Sequence, residues 1–184
     1  MMSNSIMISI IILVSYSLGS ITGAYYIVKM FTGEDIRKLG SGNVGATNAG
    51  RAIGKKGFLL TLLIDAGKVI LALMITAQLA EGESFFVLSS IFVMIGHLFP
   101  IQLGLHGGKG VVAYLATALF LNPLTIGIFA ITMGISYMIL RKYTIAGFLS
   151  MATIPITAYV IEGSFTIFIG LLSLFLTVLL VHKR

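Results

Sequence analysis

Residues 41–48 read S-G-N-V-G-A-T-N and form a small, polar, glycine-rich stretch in a chain that is mostly apolar. Consecutive backbone N–H groups in such a stretch can converge on one anion, and its hydroxyl and amide side chains add donors. The composition fits a phosphate cradle and a flexible loop beside anionic lipid headgroups equally well, so both interpretations stay open. The basic residues that flank this first glycine loop are Arg37, Lys38, Arg51, Lys55 and Lys56.

A second glycine loop, residues 104–110, contains G-G-K-G at its end and follows G-H-L-F-P at 96–100. Its amides and the Lys109 ammonium can serve a second anion, or Lys109 simply extends to the membrane boundary. His97 is either a hydrogen-bonded structural group or a residue that orients a substrate or relays a proton. Neither loop has the G-x-x-x-x-G-K-[ST] spacing of a nucleotide-binding P-loop.

Asp65 and Lys68 lie three residues apart within an apolar run, so on a helix they share a face and can pair. A charge at mid-bilayer costs ~2.5–3.5 kcal/mol, so both should face the protein interior. They either support the residues of the site without contacting the substrate, or they form a purely structural ion pair. The sequence lacks a Ser-His-Asp pattern, an H-E-x-x-H motif and a carboxylate pair, so an enzyme of this kind should work by positioning and charge stabilisation, without metal or cofactor.

The composition indicates an integral membrane protein, because 58% of the residues are hydrophobic and only 10% are charged. A soluble domain carries about 25% charged residues. The formal net charge of +6 is assigned to membrane topology and anionic lipid rather than to nucleic acid. Cysteine is absent, which excludes disulfides, thiolate nucleophiles and cysteine metal sites.

The hydropathy predicts one all-α domain over residues 1–184 with about seven membrane-spanning helices, since each crossing needs ~20 apolar residues. Asn122-Pro123 is a turn signal that divides the uncharged stretch 111–140 into two short helices. The predicted spans are 6–28, 57–80, 85–103, the two halves of 111–140, 145–161 and 165–181.

Seven spans place every basic residue on one side of the membrane except Lys68, which lies inside a span, and Glu81, Glu83 and Glu162 on the other. The positive-inside rule then puts the N-terminus outside, and both glycine loops and the C-terminal residues 182–184 in the cytoplasm.

These motifs resemble the bacterial acyl-phosphate:glycerol-3-phosphate acyltransferases, the PlsY family of seven-span enzymes of the cytoplasmic membrane. The resemblance implies transfer of a fatty acyl group from acyl phosphate to the 1-hydroxyl of sn-glycerol 3-phosphate, which forms lysophosphatidic acid for phospholipid synthesis. It also implies that no protein nucleophile is used, and that the acyl-phosphate-forming enzyme associates peripherally. The matching stretches are 19–21, 35–48, Arg51, 54–56, Asp65 with Lys68, 96–100 and 107–111.

The resemblance also implies roles for individual residues. Asp65 and Lys68 support the site. The catalytic group comprises Ser41, Arg51, His97 and Lys109. The substrate-binding group comprises Ser41, Gly42, Asn43, Gly45, Thr47, Asn48, Gly107, Gly108, Gly110 and His182.

This chain departs from the family pattern at Thr22, at Leu105 and in the stretch 144–148, and of the family's cytoplasmic tail motif it has only residues 182–184. Two alternatives therefore accompany the acyltransferase hypothesis. One is an inactive paralogue, which rests on the shortened tail. The other is a small phosphate or organophosphate transporter, which rests on the intramembrane Asp65/Lys68 pair and the glycine-broken segments.

Overall fold

The computed structural model describes residues 3–182, and within them the chain folds into eight α-helices. Lys183 and Arg184, which the sequence places at the cytoplasmic face, lie outside the described residues. The helices are α1 (Asn4–Ser20), α2 (Gly23–Thr32), α3 (Ala46–Leu79), α4 (Glu83–Leu98), α5 (Val111–Leu121), α6 (Pro123–Leu140), α7 (Tyr143–Glu162) and α8 (Phe165–His182).

The helices confirm the prediction of an all-helical, multi-pass membrane protein. In the part of the chain that the structure describes, six helical segments are long and apolar enough to cross a membrane, counting α1 with α2 as one. The remaining predicted span, the first half of 111–140, is α5, which has 11 residues and is shorter than a full crossing. Asn122 separates α5 from α6 as predicted, because its side chain accepts from the Leu124 N–H and Pro123 opens α6. The count of seven and the orientation of the termini stay predictions.

The structure differs from the predicted helices at two places, a break within the first predicted span and a kink near the start of α3. The run 6–28 is broken at Ile21 and Thr22, which are extended and part α1 from α2. The long helix α3 is kinked at Ile53 and Gly54, and Gly54 has a φ of 75° that L-residues rarely adopt. The segment of α3 before this kink belongs to the polar stretch 29–56, so α3 begins well before the predicted start of its span.

Hydrogen bonds between helix joints define the two ends of the bundle. Asn122, between α5 and α6, donates to the Glu162 carboxylate at the end of α7 over 2.7 Å. Ser164, which follows α7, bonds Glu83 at the start of α4. These joints therefore share one end, and Glu83 and Glu162 lie together there as the sequence predicts. The glycine loops and the end of α8 meet at the opposite end.

The core has two parts, one within the helix bundle and one beneath the glycine loops. In the bundle, Leu73, Tyr114 and Leu171 are fully buried, and the Tyr114 hydroxyl donates to the Met151 carbonyl over 3.0 Å. The second cluster joins α2 and both glycine loops, and its buried members are Ala24, Val28, Ile36, Val44, Ala49 and Leu103.

Candidate functional site

The two glycine loops line one cleft of about 300 Å³. The sequence predicts that both loops lie on the same face of the membrane, and the structure goes further because it brings them into contact with a common space. The first loop contributes Ser41, Gly42, Asn43 and Val44, and the second contributes Leu105, His106, Gly107, Gly108 and Lys109.

Asn48 holds the first glycine loop in shape from inside. Its side-chain oxygen accepts from the Ser41 N–H over 3.0 Å, and its side-chain nitrogen donates to the carbonyls of Leu39 (2.9 Å) and Asn43 (3.1 Å). The residue is 1% exposed. In this structure the Asn48 amide bonds backbone groups of the loop itself, and its assignment to substrate binding stays a prediction.

Two backbone amides of the second loop are also engaged. The N–H of Gly107 donates to the Leu98 carbonyl and that of Gly108 to the His97 carbonyl, each over 3.1 Å. These bonds satisfy carbonyls at the C-terminal end of α4, which a helix leaves without intrahelical partners. Both N–H groups are thus engaged in this structure, both glycines line the cleft, and their assignment to substrate binding stays a prediction.

Two helices begin just after residues that line the cleft, α3 after Val44 and α5 after Lys109. Gly45 precedes α3 and Gly110 precedes α5, and neither helix has a side-chain cap. The first N–H groups of a helix lack intrahelical partners and carry the positive end of its dipole. Thr47 is exposed in the first turn of α3. The two helix starts thus point partial positive charge to the same end of the bundle as the cleft.

Lys109 brings a full positive charge to the cleft, and α8 positions it. Its ammonium donates to the His182 carbonyl over 3.4 Å, at the last turn of α8. The His182 ring packs edge-on against Phe148 with 4.8 Å between ring centroids. His182 therefore contacts Lys109 through its backbone, while its imidazole is held by α7.

Arg51 does not line the same cleft. It lies in the first part of α3 and lines a second cleft of about 370 Å³ with Thr32, Glu34 and Gly40. The two clefts adjoin in sequence, because Gly40 belongs to one and Ser41 to the other. The predicted catalytic residues are thus divided between two neighbouring spaces.

Asp65 and Lys68 form the buried ion pair that the sequence predicts, with 3.0 Å between Lys68 Nζ and Asp65 Oδ1. The Lys68 side chain is 3% exposed and the Asp65 side chain 1%. His97 joins them, since its Nδ1 lies 2.9 Å from Lys68 Nζ. His97 is not among the residues that line the cleft but lies behind Gly108, whose missing side chain leaves room for the imidazole.

An ion pair between Asp35 and Arg37 links the segment before the first loop to the turn before the second, and the sequence interpretation assigned it no role. Arg37 bonds Asp35 over 2.5 Å and also donates to the Leu103 carbonyl over 2.8 Å. The hydrogen bond from Arg37 holds the pKa of the Asp35 carboxyl below its usual value. The close spacing of these opposite charges was the signal that could have found it.

Sequence reasoning also missed part of the cleft wall. Phe99 and Leu105 supply apolar surface, and His106 supplies an imidazole whose Nδ1 lies 2.6 Å from the Gly104 carbonyl oxygen. His106 lies in the second glycine loop directly before the G-G-K-G motif, so its place next to the paired glycines was the available signal.

Comparison with known proteins identifies the family. The family model for glycerol-3-phosphate acyltransferase matches residues 9–184. The chain belongs to the glycerol-3-phosphate acyltransferase family. One curated relative, glycerol-3-phosphate acyltransferase 1 of Desulfitobacterium hafniense, is 38% identical over 94% of this chain and 86% of its own length. Another, from Anaeromyxobacter sp., is 34% identical over 88% of this chain and 82% of its own.

A solved structure shares the fold of this acyltransferase family member. It is the integral membrane glycerol 3-phosphate acyltransferase PlsY in its glycerol 3-phosphate form, with a TM-score of 0.85 and 25% identity. The alignment covers 96% of this chain and 88% of that one. A second structure of PlsY, in its lysophosphatidic acid form, superposes with a TM-score of 0.82.

Proposed function

We propose that this chain transfers a fatty acyl group from acyl phosphate to the 1-hydroxyl of sn-glycerol 3-phosphate and releases lysophosphatidic acid and inorganic phosphate. The observation that carries the proposal is the single cleft between the two glycine loops, with Ser41 and Lys109 on its wall. Family membership and the solved PlsY structures with glycerol 3-phosphate and lysophosphatidic acid support the same reaction.

The site works at the cytoplasmic face of a bacterial cell membrane. The basic residues of both loops support this orientation through the positive-inside rule. Soluble glycerol 3-phosphate reaches the cleft from the cytoplasm, and acyl phosphate reaches it from the enzyme that forms it, which associates peripherally. Membrane lipid surrounds the apolar helices.

The reaction exchanges one carbon–oxygen bond for another and moves one proton. The 1-hydroxyl oxygen of glycerol 3-phosphate attacks the acyl carbonyl carbon, and the bond from that carbon to the phosphate oxygen breaks. The hydroxyl proton passes to a phosphate oxygen of the substrate, so no protein nucleophile is needed. The chain's task is to align the reactants and to stabilise negative charge on the departing phosphate.

Lys109 supplies positive charge on the wall of the cleft, and the starts of α3 and α5 add partial positive charge at the same end of the bundle. Ser41 offers a hydroxyl on the facing loop, and its own N–H is used by Asn48. Arg51, in the adjoining cleft, binds a second phosphate group. Two phosphorylated substrates thus meet across residues 40–41.

The transporter alternative loses its main support in this arrangement. The Asp65/Lys68 pair, on which it rested, is bonded to backbone groups and to His97. The three N–H groups of Lys68 all have acceptors within the protein, so none is left for a passing anion.

The test is direct. Purified protein in lipid bilayers, given acyl phosphate and glycerol 3-phosphate, should release phosphate and form lysophosphatidate at equal rates. Ser41→Ala and Lys109→Ala should each lower the rate by about 100-fold or more, as removal of a single charge-stabilising donor does. Gly127→Ala, on α6 with nothing within 4 Å of its new methyl group, is the matched control.

A genetic test separates the acyltransferase from an inactive paralogue. The gene should restore growth to a strain that lacks its own glycerol-3-phosphate acyltransferase, whereas the Lys109→Ala gene should not. If neither the purified protein nor the rescue shows acyl transfer beside an active relative, the proposed reaction is rejected.

A further inference from the structure

The Lys68 ammonium has three N–H groups, and the structure provides each with an acceptor. They are the Ile21 carbonyl at 2.7 Å, the Asp65 carboxylate at 3.0 Å and His97 Nδ1 at 2.9 Å. Carbonyl and carboxylate oxygens only accept hydrogen bonds, so Lys68 is the donor in both of those contacts. The third N–H then points to His97.

This network decides which nitrogen of His97 carries the proton. Nδ1 receives a hydrogen bond from Lys68 and therefore presents its lone pair. In a neutral imidazole the other nitrogen, Nε2, must then carry the hydrogen. A ring in this tautomer is a hydrogen-bond donor at Nε2, and it has no free lone pair with which to take a proton from a substrate.

The Nε2–H faces the inner side of the cleft wall. A Cβ built on Gly108 would meet His97 Nε2, His97 Cε1 and the Val44 carbonyl oxygen, so all three crowd against this glycine. Gly108 and Val44 belong to the two glycine loops and both line the cleft. The donor of His97 thus lies where the two loops meet.

The same ion pair also closes the break between α1 and α2. Lys68 binds the Ile21 carbonyl at the end of α1, and Asp65 accepts from the Gly23 N–H at the start of α2 over 3.1 Å. Unsatisfied backbone groups inside a membrane cost several kcal/mol each. One pair of side chains on α3 therefore fixes the broken first span and the His97 ring against each other.

We infer that Asp65 and Lys68 are positioning residues that lock His97 as the Nε2–H tautomer, so that His97 serves the site as a hydrogen-bond donor behind Gly108 and not as a general base. The functional part of this inference rests on the proposed acyl transfer. The tautomer does not, and it is measured separately.

The first experiment measures the tautomer in the unaltered protein. The chain has three histidines, so labelling with ¹⁵N-histidine gives few signals in long-range ¹⁵N–¹H NMR spectra. His97→Gln assigns the His97 signals by removing them. We expect an unprotonated Nδ1 and a protonated Nε2. A proton on Nδ1, alone or with one on Nε2, overturns the inference whatever the activity of the preparation.

The second experiment removes the lock. Lys68→Met alone leaves Asp65 as an unpaired buried charge, which is strongly destabilising, so the double variant Asp65→Asn/Lys68→Met is used. Asn at 65 still accepts from the Gly23 N–H. We expect His97 to lose its single tautomer and kcat to fall about 10–100-fold, with a smaller change in KM. Thr76→Val is the control, because Thr76 is buried on α3 and its hydroxyl bonds only the Ala72 carbonyl. This variant should change neither the His97 tautomer nor kcat.

The third experiment asks which ring atom matters. The side-chain nitrogen of Gln reaches the position of Nε2, whereas the shorter Asn side chain reaches only that of Nδ1. His97→Gln should therefore keep kcat within about tenfold, and His97→Asn should lose about 100-fold, as expected for a donor misplaced by an ångström or more. Equal losses in both variants, or an unchanged tautomer and rate in the double variant, would refute the positioning role.

Discussion

Gly108 occupies a position in the site that has no room for a side chain. It separates the His97 ring from the Val44 carbonyl, and both occupy the space that a side chain would need. Val44 belongs to the first loop, and because its side chain is fully buried, the residue has no free space into which to shift. The contact between the two glycine loops therefore depends on a hydrogen atom in place of a methyl group.

Gly108→Ala tests this contact. The new methyl group should push the second loop away from Val44 and displace Lys109, so acyl transfer should fall about 100-fold. The rate of lysophosphatidate formation in proteoliposomes measures it. The control Gly127→Ala should keep its rate, and as an Ala in a helix it should gain about 0.5–1 kcal/mol of stability. Full activity of Gly108→Ala would show that the loops do not need their close approach.

Asn48 shows what residue-level prediction from the sequence leaves undecided. A polar amide in a glycine-rich loop suits a substrate donor and a loop staple equally well, and its type alone does not distinguish them. The distinction depends on the path of the backbone around it. Gly40, with a φ of 53°, turns the chain so that the carbonyls and N–H of the loop face the Asn48 amide.

Asn48→Asp should loosen the first loop. A carboxylate still accepts from the Ser41 N–H, but it cannot donate to the carbonyls of Leu39 and Asn43, which it would repel. The cost should be about 1–3 kcal/mol, as for buried polar groups left without partners. Thermal unfolding and hydrogen exchange at Ser41 measure it. Thr47→Ala, at the exposed neighbouring position, should leave both unchanged, and an equal effect there would argue against the staple.

At the scale of elements, the ion pair of Asp35 and Arg37 connects the segment before the first loop with the short turn that carries Leu103. Arg37 depresses the Asp35 pKa. A carboxyl whose folded pKa lies below its unfolded value stabilises the fold above the unfolded pKa and loses that contribution as the pH falls through the folded one.

The protein should therefore lose stability below about pH 4, the unfolded pKa of an aspartate, and Asp35→Asn should lose less over the same range. Thermal unfolding between pH 5 and pH 3 measures the difference between the two proteins, which removes the contribution of the other carboxyls. Parallel pH curves for both proteins would show that Asp35 makes no such contribution.

Hydropathy predicted most of the helices but neither interruption. The break at Ile21 and Thr22 contains no proline, and it lies within a long run that is mostly apolar. The backbone groups that lack intrahelical partners at this break bond Asp65 and Lys68, more than forty residues along the chain. A local sequence pattern cannot predict a partner so far away. The pairing of Asp65 with Lys68 was predictable, because three-residue spacing on one helix is itself local.

At the scale of the whole molecule, the prediction that both glycine loops share one end of the bundle rested on counting spans, and the structure brings them together. The sequence could predict this shared end because the apolar runs are divided by charges and turn signals. It could not show that Phe99, His106 and Val181 complete the cleft. Those contacts follow from how α4 and α8 pack, which hydropathy does not encode.

The orientation in the membrane can be tested with the chain's own composition, since it contains no cysteine. Ser84→Cys and Thr144→Cys introduce single thiols at exposed positions near opposite ends of the bundle. In intact cells a membrane-impermeant maleimide should label the first, and the second only after permeabilisation. The reverse pattern would place the glycine loops outside and exclude a cytoplasmic site.

The length of α5 sets how deep the cleft reaches. Its 11 residues extend about 16 Å at 1.5 Å each, whereas the 18 residues of α8 extend about 27 Å. Asn122, which follows α5, donates to Glu162 at the end of α7, and α8 begins three residues later. At the other end, Lys109, which directly precedes Gly110 and α5, donates to the His182 carbonyl in the last turn of α8. Because α5 is roughly 10 Å shorter than α8, the second glycine loop is recessed into the helix bundle, and in the proposed reaction the soluble substrate descends into the bundle to meet the acyl donor.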